Sequence, residues 1–152
     1  MNTKRISAVL TLIVACALLL SFIKPAGGEG FEIYVDNTLV LRQFNQEMKQ
    51  LKNIQLTASN SKSVLKVKFY HCGMTGKSRV LELKTSDQKT LKHWQFKNEE
   101  GKNFGITVAI KDILDSQKQT GSGALYLYYA SKETPEGRLL AGIVGANATA
   151  KK

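Results

Sequence analysis

From residue 31 onward, apolar and polar residues alternate in short runs, the mark of strands with one buried face and one wet face. Phe31, Ile33 and Val35 alternate with Glu32 and Tyr34, Asp36-Asn37 interrupts, and Thr38 to Phe44 resumes the extended pattern. Two residues that tolerate positive φ between such runs predict a tight hairpin. Asn45 to Asn53 carries Met48 and Leu51 three apart, room for one or two helical turns. Ile54 and Leu56 mark a short strand, and Ser59 to Ser63 a loop.

The sharpest run is Val64 to Tyr70, with Leu65, Val67 and Phe69 on one face and Lys66, Lys68 and Tyr70 on the other. Cys72 to Ser78 holds two glycines and reads as a connection. Val80 to Lys84 is again strand-like, and Ser86 to Lys89 is a turn. Leu91 to Lys97 then sets Trp94 and Phe96 against His93 and Gln95. After the polar loop 98–103, Phe104, Ile106, Val108 and Ile110 alternate without a break, and Lys111 to Lys118 predicts a helical turn. Leu125, Leu127 and Tyr129 oppose Tyr126 and Tyr128, Ser131 to Gly137 reads as a Pro/Gly loop, and Leu139 to Val144 is the last strand. Eight or nine short strands with one or two helical turns predict an all-β, single-domain antiparallel sandwich, or a barrel-like relative of it.

The N-terminus follows a different pattern. Lys4 and Arg5 precede an apolar run from Ile6 to Ile23, which Lys24-Pro25-Ala26-Gly27-Gly28 closes. A basic start, an apolar centre and a small-residue exit predict an export signal over 1–28, a sandwich domain over 29–146 and a disordered tail over 147–152. Two other readings share that start. An uncleaved anchor would leave the domain outside, touching membrane only through this segment. Ile13-Val14-Ala15-Cys16 resembles a lipobox, although Ala17-Leu18-Leu19-Leu20 stands where a polar tether belongs. All three put the domain beyond the cytoplasm, periplasmic or secreted.

Composition narrows the partners. Cleavage removes Lys4, Arg5 and Lys24 but no acid, so the net charge falls from +10 to +7. A basic exported domain of about 125 residues favours contact with an anionic polymer, a glycan or an envelope protein, without specific nucleic-acid readout. Of the two cysteines only Cys72 remains, so no internal disulfide can form and packing must hold the fold.

The candidate chemistry is sparse. Gly73-Met74-Thr75-Gly76-Lys77-Ser78 lacks the spacing of a phosphate loop, with two residues between glycines where four are needed. His71, Cys72, Met74 and His93 are the residue types that soft copper prefers, but neighbouring strand residues point to opposite faces. Cys72 as a nucleophile would draw on His71 or His93 as its base, and no third orienting group is identifiable. The expectation for Cys72 is a buried thiol at a strand end, behaving as a small hydrophobe. No catalytic residue and no cofactor is assigned.

Tyr70-His71-Cys72-Gly73 through Arg79, and Leu127 to Glu133 with Gly137 to Ala141, resemble recurring blocks of small exported bacterial proteins of unassigned function. The resemblance carries no activity. It places a shared surface at the loops Cys72–Arg79 and Ser131–Arg138. Together with the aromatic residues, the candidate binding surface is Tyr70, Lys77, Arg79, Tyr126, Tyr128, Lys132 and Arg138. The expected function is binding or structural support at the envelope. The alternative is metal handling or thiol redox at Cys72 with His71 or His93.

The export pattern predicts a mature N-terminus between Gly27 and Glu29, free of lipid. The intact mass of exported material checks this. A mass beginning at an acylated Cys16, or Met1 retained in a membrane fraction, is the contrary result.

Overall fold

A computed structural model describes residues 28–98, 101, 104–121 and 123–145. Nearly all of the export segment, and the tail 147–152, lie outside the described residues. The chain forms two packed sheets. Strands β1 (Glu29–Val35), β2 (Thr38–Phe44), β4 (Val64–His71) and β7 (Ile106–Ala109) make one, in the order β2-β1-β4-β7. The other holds β3 (Asn53–Leu56), β5 (Arg79–Lys84), β6 (Thr90–Phe96), β8 (Leu125–Ser131) and β9 (Thr134–Gly145), in the order β3-β9-β8-β5-β6. The architecture is an all-β sandwich rather than a closed barrel. Its second sheet is mixed, because β3 runs parallel to β9 while every other pairing is antiparallel.

The pleat accounts for the core. In β4 the odd positions Leu65, Val67, Phe69 and His71 are buried, and in β8 so are Leu125, Leu127, Tyr129 and Ser131. The apolar members of these two sets join Phe31, Ile33, Leu81, Leu83 and Ile143 in one layer between the sheets, against which Trp94 and Phe96 pack half-buried. Each fully buried Leu, Ile or Phe contributes roughly 1.5–3 kcal/mol over its exposed state. Asp36-Asn37 makes the expected hairpin, with Asp36 at φ 54°. The Asp36 carboxylate accepts from Val64 N–H at 3.0 Å, which holds its pKa below the usual carboxylate value.

Two segments depart from the periodicity. Ile110 does not end a strand; it begins helix α1, Ile110–Gln119, a full ten-residue helix rather than a single turn. Ile110 is buried in either conformation, so alternation through it carried no information. Ile113, Ser116 and Gln117 continue the buried helical face. The second departure is β9, which starts at Thr134 rather than Leu139. Its pairing with β8 is irregular between Tyr129 and Ser131, and Gly137 there takes φ +74°. A bulge absorbs the Pro/Gly stretch that reads locally as a loop.

Helix α1 lies at one end of the sandwich. Ile110 N–H donates to Ser63 O just before β4 starts, and the Gln117 side chain lies against Gly145 where β9 ends. At the opposite end β4 finishes and β1 and β9 begin. There a 3-10 turn, Asn45–Lys49, follows β2 and packs Met48 against the core, and no α-helix lies at this end among the described residues.

Gly30 shows how tightly one outer face is built. It pairs with Phe44 on one side and Tyr70 on the other, and those rings meet 5.4 Å apart. A Cβ on Gly30 would lie 2.0 Å from Phe44 Cδ1. Gly30→Ala should therefore cost about 1–3 kcal/mol by overpacking, read as a lower urea midpoint at unchanged m. An unchanged midpoint would contradict this packing.

Candidate functional site

The open end of the sandwich holds a cavity of about 370 Å³, lined by Glu29, His71, Cys72, Met74 and the stretch Glu133–Arg138. Its geometry begins with the reversal after β4. His71 bridges Met74, and Met74 N–H donates to His71 O at 3.1 Å. The two residues between them, Cys72 and Gly73, take φ of 55° and 86°. Two successive positive φ values are what a tight primed turn demands.

The parity of β4 runs inward through His71, so the next residue falls on the turn and outside. Cys72 is accordingly exposed, which corrects the expectation of a buried thiol. His71 takes the inward place, only 5% exposed, with Nε2 2.9 Å from the Tyr129 hydroxyl. The Tyr129 ring stacks on Phe69 at 4.3 Å between centroids. A buried imidazole–phenol pair backed by a phenyl ring thus lies beneath the thiol turn.

The opposite wall comes from β9 and the turn before it. Arg138 donates from Nε and Nη2 to the two carboxylate oxygens of Glu29, each at 3.1 Å, a fork that links β9 of one sheet to β1 of the other. Both partners are substantially solvated, so this pair contributes about 1 kcal/mol or less. Glu133 accepts from Lys77 N–H at 2.9 Å, and Lys132 N–H donates to Lys77 O at 2.8 Å. Burial pushes the Glu133 carboxyl up, but the Lys77 N–H and its other contacts outweigh that and hold it below the usual carboxylate range. The wall therefore presents carboxylates and a guanidinium side by side.

The predicted residues divide among several places. His71, Cys72, Met74 and Arg138 gather at the cavity, with Lys77 and Lys132 on the adjoining loops. His93 does not join them: it stands on edge strand β6, exposed, with Nδ1 3.2 Å from Glu82. Among the described residues, no group of three or more His, Cys, Asp or Glu is arranged to hold a metal ion. Arg79 is buried rather than on the surface, and its guanidinium donates to Lys97 O at 2.9 Å and to Phe104 O. It fastens the segments that follow β6 and precede β7.

Apart from the buried Tyr129, the tyrosines fall on the two opposite outer faces. Tyr70 and Tyr34 donate to the same oxygen of Glu32, at 3.0 and 2.6 Å. Burial, with the bond to Glu32, pushes the Tyr70 phenol up to about 12. Tyr126 and Tyr128 face outward from the other sheet, where Lys84 lies 5.0 Å over the Tyr128 ring. Tyr70 cannot share one surface with that pair. Glu133 and Glu136 carry the sequence signal of lying within the Ser131–Arg138 loop, whereas nothing in the sequence links Glu29, at the start of β1, to either loop.

Comparison with protein-family models, with curated proteins and with solved structures finds no match for the chain. The fold defines a two-sheet all-β sandwich, and among its described residues no helix is long and apolar enough to cross a membrane.

Tyr129→Phe removes the phenol facing His71 and keeps the ring stacked on Phe69. The expected loss is roughly 1–2 kcal/mol in denaturant unfolding. Tyr129→Ala, which also empties the stack, should lose roughly 3–5 kcal/mol. A Tyr129→Phe variant as stable as the parent would mean that the hydrogen bond to His71 contributes nothing, and equal losses for the two variants would mean that the stack on Phe69 contributes nothing.

Proposed function

We propose that this chain is an exported domain, periplasmic or secreted, that works by binding a small ligand at the open end of its sandwich. The carrying observation is the cavity of about 370 Å³ between the Cys72 turn and the start of β9. Its size falls in the range of small-molecule sites, roughly 300–1,000 Å³. Its wall pairs apolar surface from Met74 and Pro135 with a few charged groups, the mixture that fixes a ligand's orientation. The N-terminal export pattern supports the location. The resemblance of the Cys72–Arg79 and Ser131–Arg138 blocks to small exported proteins supports the same two loops as the working surface.

A thiol-based role is the second reading. The exposure of Cys72 favours it, and it uses the same place in the fold.

Fragment screening by amide NMR tests the proposal. Binders should shift the amides of 71–74 and 133–138, and at a hundred times Kd a binder should add about 2.7 kcal/mol to stability. Binders that shift only the outer faces around Tyr70 or Tyr126, or a screen without binders, would defeat it.

A further inference from the structure

We infer that the cavity accepts the disulfide of a small amino-acid thiol, and that Cys72 at its rim exchanges with it to form a mixed disulfide. The inference rests on the cavity being a ligand site, and adds the ligand's chemistry and a covalent step.

Three observations converge on that chemistry. First, Cys72 is exposed and lines the cavity instead of packing in the core. Its left-handed turn, φ 55° followed by 86° at Gly73, carries it out of the pleat of β4. Second, the wall facing it offers both charges an amino acid needs. Arg138 uses Nε and Nη2 on Glu29, and a guanidinium has five N–H donors, so a ligand carboxylate can be received beside that pair. Glu133 and Glu136 supply carboxylates for an ammonium group. Third, with the export segment gone Cys72 is the only thiol, so in an oxidising compartment its disulfide partner must come from another molecule.

The step balances without a further oxidant. Cys72 Sγ, as the thiolate, attacks one sulfur of the bound disulfide. The new Sγ–S bond forms as the ligand's S–S bond breaks, and the electron pair leaves on the second sulfur. That sulfur takes up a proton from water, replacing the one Cys72 released. Cys72 is oxidised, and half of the disulfide departs as a reduced thiol.

The test compares four disulfides on the purified chain: cystine, with both charges; cystamine, cationic only; dithiodiglycolate, anionic only; and hydroxyethyl disulfide, neutral. Adduct growth is followed by intact mass and mapped to Cys72 by peptide analysis. Each rate is divided by that of a short unstructured cysteine peptide, which removes the reagents' own reactivity. Cystine should lead the neutral disulfide by about tenfold, the size of one charge-assisted contact. Arg138→Ala and Glu133→Gln should each narrow that lead, and Arg138→Lys should keep part of it. Equal normalised rates, or no adduct at Cys72, overturn the inference. Cystathionine, a thioether of similar shape that cannot exchange, separates the two levels. If it shifts the amides of 71–74 and 133–138 while cystine leaves no adduct, the cavity binds and the exchange is wrong. If neither ligand registers at the cavity, the exchange is equally overturned, and the absence of any amide shift then counts against the ligand site itself.

Discussion

The ring of Phe69 lies nearly flat on the ring of Tyr129, 4.3 Å between centroids and 10° from parallel. It joins an interior strand of one sheet, β4, to the middle strand of the other, β8. Much else depends on it. With this stack in place, the next inward residue of β4, His71, lies beside the Tyr129 hydroxyl, and the residue after it must leave the core. The burial of the imidazole and the exposure of the thiol are thus two results of one pleat meeting one aromatic contact.

The two ends of the sandwich are treated differently. At one end α1 supplies Ile110, Ile113 and Gln117 to cover the layer between the sheets. At the other, closure is left to the 3-10 turn Asn45–Lys49, a two-residue turn, a hairpin turn and the Glu29–Arg138 fork. Short polar turns cannot fill the space that a ten-residue helix fills, so a cavity remains where β4 stops and β9 starts. The outer faces are occupied by their own contacts: Glu32 receives two phenols, Lys68 lies 5.4 Å over Tyr34, and Lys84 covers Tyr128.

Much of this fold was legible along the chain. Period-two alternation is local, so it revealed which residues of β1, β4 and β8 point inward, and Asp36-Asn37 revealed its hairpin. Alternation failed where two structures bury the same residue, as at Ile110, or where a bulge lets a Pro/Gly segment stay in a sheet, as at Pro135 to Gly137. Cys72 was misplaced because its small apolar side chain suggested burial, whereas the register already extended through His71 and left no inward position for it.

What the sequence by itself determined is the set of inward and outward positions and the all-β class, because a pleat needs only nearest neighbours to be specified. What only the tertiary structure decided is who meets whom. Glu29 and Arg138 are 109 residues apart, His71 and Tyr129 are 58 apart, and no local pattern links either pair. The same folding that brought His71, Cys72, Met74 and Arg138 to one cavity sent His93 to a distant edge and buried Arg79. Sheet order and the packing of one sheet on the other make those choices, and both are set by the whole core at once rather than by any stretch of it.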